Sequence, residues 1–201
     1  TISVNVTENH DPTILIVAPD GGSYFASEDA ITLEAVLDDA EDSPELLTIV
    51  GTSSLDGDLG LTTTPSSSGD WAGNISGLSA GEHFITRKVY DVTGLSGQDT
   101  VSFTINESPG TSVISITPDP APSGTQLTAN IDVEAIDPEG DPISHEYQWF
   151  VGGAAFPGGT TPVVGAGVTQ LDEYWEVLAT VRDPHSARDP GPASLLSLTN
   201  I

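Results

Sequence analysis

The sequence contains no cysteine, no methionine and only four basic residues, which stand against 30 Asp and Glu. The absence of cysteine excludes a disulfide framework and any mechanism that uses a thiol. The formal net charge of −26 repels nucleic acid and anionic lipid, so the protein is expected to bind neither. The absence of methionine predicts that the chain is a processed or excised product.

Long hydrophobic runs are also missing, although 37% of the 201 residues are hydrophobic. No apolar run has the length of a membrane span, and none has the pattern of a signal peptide. High acidity suits a salty or calcium-rich exterior, where counterions screen the repulsion between carboxylates. The composition therefore predicts a soluble, exported chain located outside the cell or on its surface.

An internal repeat divides the sequence. The segment TISVNVTENHDPTILIVAPD (1–20) matches TVSFTINESPGTSVISITPD (100–119) without a gap, at a shift of 99 residues. The apolar positions coincide as well as the Ser, Glu and Pro-Asp positions. Self-similarity at a period near 100 residues is typical of tandem β-sandwiches, so the chain is predicted to contain two modules.

Short stretches of alternating polar and apolar residues dominate both modules, and turn residues separate them. No stretch has a helical pattern. The pattern therefore predicts an all-β chain. We expect strands at 12–19, 30–38, 45–53, 71–77, 82–91 and 98–106, then at 111–117, 127–136, 143–152, 163–170, 173–182 and 193–200.

Acidic residues recur after the second and the sixth main strand of each module. The stretch EAVLDDAEDSPE (34–45) aligns with VEAIDPEGDPIS (133–144) at a shift of 98, and VYDVTG (89–94) aligns with TVRDPH (180–185). At the first shift Gly51 aligns with Trp149, and the stretch DDAEDSP of the first module lacks the turn glycine, so its loop is expected to be bound differently or to be empty.

The stretch AIDPEGDPISHEYQWFVGG (135–153) resembles the corner between the second and third strands of bacterial and archaeal Ig-like modules of the polycystic-kidney-disease or cadherin-like type. The stretches 53–60 and 78–106 are similar to other parts of the same family. The resemblance implies two tandem Ig-like Greek-key β-sandwiches, preceded by an orphan N-terminal β-strand. The expected boundaries are 1–11 for the strand and linker, 12–107 for the first domain and 108–201 for the second.

The acidic corners are the best candidates for a site, because calcium prefers six to eight oxygen ligands from carboxylates and carbonyls on adaptable loops. In an Ig-like sandwich both corners lie at the end that receives the preceding module. The predicted calcium ligands are Asp137, Glu139, Asp141, Asp183 and Glu107 in the second module, and Asp39, Glu41 and Asp91 in the first. The alternative is that these are solvated turns in which Asp and Gly serve the backbone geometry.

Catalysis is not expected. The four histidines are scattered, no nucleophile elbow is present, and no single carboxyl group stands out as a catalytic acid. Exposed aromatic residues could form a sugar-binding face, but Trp149 occupies a core position and Trp71 and Trp175 are also expected in the core.

Three sequons, at Asn5, Asn74 and Asn106, are candidate glycosylation sites if the source glycosylates exported proteins. Residues 1–7 resemble the closing strand of the first module, and Ile2, Val4 and Val6 form its apolar face. Such a strand is either the remnant of a lost domain or a donor strand that pairs with another copy.

The sequence thus favours a non-catalytic extracellular structural protein, a pilus-like filament subunit assembled head to tail by strand donation. The expected partners are copies of itself. The alternative is a stalk fragment, or an adhesin or carbohydrate-binding module of a larger surface protein with a glycan or cell-surface ligand.

Overall fold

The computed structural model describes residues 8–60 and 63–185, together with the backbone of 193–200. These residues form fifteen β-strands and one short 3-10 turn, with no α-helix among them. The chain divides into two compact units, of which the first ends at Asn106 and the second begins at Glu107. The expectation of an all-β protein is confirmed.

Unit 1 is a two-layer β-sandwich. Its strands are β1 (Thr13–Ala18), β2 (Ser23–Ala26), β3 (Ile31–Asp38), β4 (Thr48–Ser53), β5 (Gly57–Asp58), β6 (Asp70–Ile75), β7 (Gly81–Tyr90) and β8 (Ser96–Asn106). One sheet has the order β1-β3-β6, and the other has the order β2-β8-β7-β4-β5. All pairings are antiparallel except that of β2 with β8.

Alternation of side chains explains the two layers of unit 1. In β3 every second residue, from Ile31 to Leu37, is buried, and the residues between them are exposed. Since successive side chains of a strand point to opposite faces, one face of β3 enters the core and the other faces solvent. The core is built from both sheets, with Trp71 from β6 and Phe103 from β8 among its largest members.

Unit 2 repeats this plan with seven strands. They are β9 (Val113–Thr117), β10 (Leu127–Val133), β11 (Ser144–Val151), β12 (Ala154–Ala155), β13 (Val163–Val164), β14 (Tyr174–Arg182) and β15 (Ala193–Asn200). The sheet orders are β13-β10-β9 and β12-β11-β14-β15. Trp149 and Trp175 lie in the core between the sheets, with exposed fractions of 0% and 1%.

Strand register corrects one feature of the internal alignment. The alignment equates Asp91 with Asp183, and therefore Tyr90 with Arg182. Tyr90 pairs with Thr48, whereas Arg182 pairs with Ser144, so β4 and β11 correspond at a shift of 96 residues rather than 98.

The residue of unit 1 that corresponds to Trp149 is therefore Ser53, and Gly51 corresponds to Tyr147. The difference arises because Thr48 lies nine positions after Asp39, whereas Ser144 lies seven positions after Asp137. The additional residues of unit 1 are in the segment that contains the 3-10 turn Pro44–Leu46.

Two of the expected strands have a different extent, and the observed strand β2 was not expected. The expected strand 45–53 begins at Thr48, because residues 44–46 form the 3-10 turn. The expected strand 163–170 contains only Val163–Val164, because the chain from Gly165 onward pairs instead with the turn around Gly124. The strand β2 is missing from the sequence prediction, since four residues are too few to show alternation.

Two further expectations concern the N-terminal strand and membrane-spanning segments. The orphan strand, with Ile2, Val4 and Val6, lies outside the described residues. In the described part of the chain, no helix is long and apolar enough to cross a membrane.

Candidate functional site

In each unit one group of loops collects the acidic residues predicted as ligands. We call it the acidic end. In unit 1 it consists of the loop after β3 (39–47), the loop after β7 (91–95) and the leading segment (8–12). In unit 2 it consists of the loop after β10 (134–143), the start of the loop after β14 (183–185) and the leading segment (107–112).

The acidic loop of unit 1 is folded around Asp39. Its Oδ1 accepts hydrogen bonds from the backbone N–H of Glu41 (2.9 Å) and of Asp42 (2.6 Å). Asp42 Oδ2 in turn accepts from the N–H of Val92, at 3.2 Å, in the loop after β7. A short polar side chain that binds the backbone two or three residues on is the usual means of holding such a turn.

The leading segment of unit 1 is attached to both loops. The carboxylate of Glu41 accepts the backbone N–H of His10 at 3.1 Å and lies 2.8 Å from its Nδ1. The side-chain amide of Asn9 donates to Asp91 Oδ2 at 2.5 Å. Asn9 and His10 therefore attach the leading segment to the loop after β7 and to the loop after β3.

Asp91 is 6% exposed and acts as the centre of the loop after β7. Its Oδ1 accepts from the N–H groups of Thr93, Gly94 and Leu95. Burial pushes its pKa up, but the bonds from Asn9, Thr93, Gly94 and Leu95 favour the ionised form and together hold the pKa below its ordinary value. Asp91 is therefore a charged structural anchor.

Unit 2 forms the same kind of turn around Asp137. Asp137 Oδ1 accepts from the N–H of Glu139 (3.0 Å) and of Asp141 (2.9 Å), as Asp39 does in unit 1. Glu139 Oε2 accepts the N–H of Glu107 at 3.3 Å, so a glutamate again holds the leading segment. The structure therefore brings together Asp137, Glu139, Asp141 and Glu107.

Asp183 lies in the loop after β14 and is 8% exposed, and its Oδ1 accepts the N–H of His185 at 2.5 Å. The ring of His185 lies 3.9 Å from Asp141, which links this loop to the loop after β10.

The two acidic ends differ in which buried carboxylate oxygens accept no hydrogen bond from the described residues. Asp137 is 7% exposed, and neither its Oδ2 nor Oε1 of Glu139, both buried, has a hydrogen-bond partner among the described residues. Burial, together with the like charges of Asp137 and Glu107, raises the pKa of Glu139, although the backbone N–H bonds that it accepts oppose the shift. In unit 1 the one such oxygen among the described residues is Oδ2 of Asp39.

Unit 2 therefore fits a cation better than unit 1. Two buried oxygens without partners lie in one loop, and a carboxylate with a raised pKa gains from a nearby positive charge. In unit 1 both Glu41 and Asp91 already accept from protein donors, which leaves them poorer ligands. Within the described ranges, no group of three or more His, Cys, Asp or Glu side chains is arranged to hold a metal ion, so backbone carbonyls would have to complete a calcium shell.

The predicted glycosylation sites differ in exposure. Asn74 is exposed on β6, where its Oδ1 accepts from the hydroxyl of Thr32 at 2.8 Å. Asn106 is only 8% exposed at the end of β8, which leaves little room for a glycan, and its glycosylation stays a prediction. Asn5 lies outside the described residues.

The tryptophans do not form a sugar-binding face, because all three are at most 3% exposed. The indole N–H of Trp71 donates to the carbonyl of Thr63, and that of Trp149 donates to the carbonyl of Thr161. The two modules thus place a core tryptophan on different strands, β6 and β11, and satisfy it in the same way.

Two buried polar groups were missed in the sequence. Ser53 and His83 are far apart in the chain, but β4 and β7 bring Ser53 Oγ to 2.8 Å from His83 Nδ1. The Ser53 hydroxyl accepts two backbone N–H groups and so donates to the ring, while the other ring nitrogen, Nε2, donates to the carbonyl of Ser79. His83 is fully buried, which indicates a structural role for the pair.

Arg87 is the second missed group. It is fully buried, and its guanidinium lies 4.0 Å from the centre of the Trp71 ring, across the two sheets of unit 1. None of its nitrogens has a hydrogen-bond partner among the described residues, and burial lowers its pKa to about 10. Gly51, opposite Arg87 on β4, leaves the space that the guanidinium occupies.

No protein-family model matches the sequence, and no curated protein is significantly similar to it. Solved structures do resemble it. Domains A168–A170 of titin match at 10% identity with a TM-score of 0.52, over 96% of this chain and 68% of that one. The fibronectin(III)-like modules of Clostridium thermocellum CbhA match at 16% identity and a TM-score of 0.41, over 92% and 91% of the two chains.

A 1.5-MDa bacterial ice-binding adhesin matches at 15% identity and a TM-score of 0.45, over 96% of this chain and 65% of that one. At these identities the likeness concerns the fold alone. The topology of each unit and the match to titin domains together show that the chain consists of Ig-like β-sandwiches in tandem.

Proposed function

We propose that this protein is a non-catalytic structural protein of the cell exterior, in which Ig-like modules are joined in series and copies associate head to tail. The observation that carries the proposal is the repeated attachment of the leading segment. In both units a glutamate of the loop after the second main strand, Glu41 or Glu139, accepts a backbone N–H from the chain that enters the module.

This attachment limits the freedom of the chain just where a neighbouring module would be joined. A linker that is hydrogen-bonded to its own module has fewer conformations than a free one, so it transmits orientation and load along an array. The described groups offer no competing catalytic arrangement, since the Ser53–His83 pair is buried and structurally satisfied. The geometry therefore supports a mechanical role.

Calcium is the second part of the proposal. The ion would be held at the acidic end of unit 2 by Asp137, Glu139 and Asp141, with Glu107 and Asp183 nearby. Bound calcium would use Asp137 Oδ2 and Glu139 Oε1, which are buried and have no partner. It would also relieve the repulsion among carboxylates that raises the pKa of Glu139. The leading segment would then be attached more firmly through Glu139.

Strand donation is the third part. Residues 1–7 match residues 100–106, and the latter form the end of β8, which pairs with β7 and with β2. A segment with the pattern of a sheet strand is suited to pair with the sheet of another copy, where backbone hydrogen bonds supply affinity and alternate side chains supply specificity. Donation from one copy to the next propagates as a filament.

Electron microscopy and sedimentation of the purified chain test the proposal, with and without residues 1–7 and with calcium or a chelator. We expect calcium-dependent stiffening of the full-length chain and polymers that disappear on deletion. A monomer under all conditions would rule out strand donation and favour a stalk segment or adhesin module. Equal stability in calcium and chelator would rule out the metal site.

A further inference from the structure

The three-stranded sheets of the two units differ at one edge. In unit 1, β3 is covered on one side by β1 and on the other by β6, which pairs with it from Ile31 to Val36. In unit 2, β10 is covered by β9 on one side, but β13 pairs with it only at Leu127 and Thr128. Most of one edge of β10 therefore lacks the strand that its counterpart has.

The backbone of β10 shows where pairing stops. The N–H of Ala129 still donates to the carbonyl of Pro162, at 2.8 Å, on the β13 side. Because backbone groups of a strand point to alternate sides, those of Ile131 are next on this edge. No partner for them occurs in the described part of the chain, whereas in unit 1 the strand β6 pairs with β3 as far as Val36, and the N–H of Leu37 donates to the carbonyl of Gly69.

The same region exposes apolar side chains. Val133 is 58% exposed. Val113, which pairs with Val133, is 55% exposed, and Ile136 is 81% exposed. An open strand edge beside exposed apolar residues is a site at which another strand can add. Asp132 is the one charged residue of this edge, and its Oδ1 accepts a hydrogen bond from the hydroxyl of Ser115 on β9 at 3.0 Å.

We propose that the β10 edge, residues Ala129–Val133, is the acceptor for residues 1–7 of a second copy. This inference rests on the proposed strand donation and names its receiving site. The segment TISVNVT has seven residues, which is enough to cover a five-residue edge. With Ile2, Val4 and Val6 on the core side of the sheet, where Ile131 pairs with the core residue Ile114, its Ser3, Asn5 and Thr7 lie on the face of Asn130 and Val133. It carries no charged side chain, so it approaches a chain of net charge −26 without repulsion.

Disulfide trapping tests the proposal cleanly, because the chain has no cysteine of its own. Asn130→Cys is combined in turn with Ser3→Cys, Asn5→Cys and Thr7→Cys, and each full-length variant is oxidised gently. Paired strands bring Cα atoms within disulfide distance. At least one combination is expected to give a ladder of covalent oligomers on a non-reducing gel, which collapses to monomer with reductant.

The matched control is Thr32→Cys with the same donor substitutions. Thr32 lies on β3 of unit 1, where it pairs with Asn74 and β6 covers the edge. No ladder is expected there. A ladder of equal yield with Thr32→Cys, or only an intramolecular disulfide with Asn130→Cys, would overturn the inference.

The outcomes separate this inference from strand donation itself. If the unmodified protein polymerises only when residues 1–7 are present, but no Asn130→Cys combination gives a ladder, donation holds and the acceptor is elsewhere. If the protein does not polymerise with or without residues 1–7, both proposals fail.

Discussion

Replacing Gly51 by alanine places a methyl group where the guanidinium of Arg87 lies. A Cβ at position 51 would be 1.9 Å from Nη1 and 2.9 Å from Cζ of Arg87. The guanidinium cannot easily withdraw, because Arg87 is fully buried and its Cζ lies 4.0 Å from the Trp71 ring centre. The substitution therefore forces the side chain off the ring.

The expected cost follows from opposing effects. Overpacking in a closed core costs about 1–3 kcal/mol, and loss of a desolvated cation–π contact costs up to about 2 kcal/mol. Alanine in place of glycine within a strand stabilises the folded state by about 0.5–1 kcal/mol, because the unfolded chain then has fewer accessible conformations. Gly51→Ala is therefore expected to lower the free energy of unfolding of unit 1 by about 2 kcal/mol.

The matched background is Arg87→Ala, in which the clash is absent. Gly51→Ala is then expected to be neutral or slightly stabilising, so the double-mutant cycle should show a coupling energy of about 2 kcal/mol. Urea unfolding followed by tryptophan fluorescence measures it, and the transition of unit 2 serves as an internal reference. If Gly51→Ala has the same effect with and without Arg87, the guanidinium does not occupy this space and the reasoning is wrong.

A second variant, Arg87→Met, tests how much the burial of the Arg87 guanidinium destabilises unit 1. The lowering of its pKa to about 10 by burial corresponds to a desolvation penalty of about 3 kcal/mol, more than a cation–π contact contributes. Methionine fills similar volume without the charge, so this variant is expected to be at least as stable as the parent by the same unfolding assay. A loss of more than about 2 kcal/mol would mean that the guanidinium has polar partners.

Three further predictions concern the acidic ends. The pKa of Asp91 is lower in the folded than in the unfolded protein, so its negative charge stabilises unit 1 above the unfolded pKa, and this stabilisation is lost as the pH falls through the folded pKa. The variant Asp91→Asn should therefore reduce the fall of the melting temperature of unit 1 at acidic pH. An unchanged fall at acidic pH would contradict this prediction. Glu139 has a raised pKa, so its contribution is present below its unfolded pKa and is lost as the pH rises through the folded one. Glu139→Gln in chelator should therefore raise the melting temperature of unit 2 at neutral pH, and a lower value there would refute it. Asp137→Asn should abolish any calcium-dependent rise in the melting temperature of unit 2, while Asp39→Asn, the counterpart in unit 1, should leave that rise intact; the reverse pattern would place the ion in unit 1.

The sequence by itself determined the all-β class, the tandem repeat and the approximate strand positions. Alternation in stretches such as ITLEAVL is a local property, and Asp or Gly at strand ends marks turns regardless of the rest of the fold. The turns built on Asp39 and Asp137 also follow from local spacing, because each aspartate binds backbone groups two to four residues along the chain. The burial of Trp149 was likewise predictable from its place on a core strand.

Tertiary structure decided the features that depend on which strands become neighbours. The Ser53–His83 pair and the Arg87–Trp71 contact join residues on different strands, and no local pattern announces them. The two-residue difference in the connection before β4 moved the counterpart of Trp149 from Gly51 to Ser53, because register depends on loop length as well as on similarity. The open edge of β10 has the same origin: whether residues 163–170 form a strand is decided by the backbone partners within reach, and beyond Val164 those partners lie around Gly124 instead of on β10.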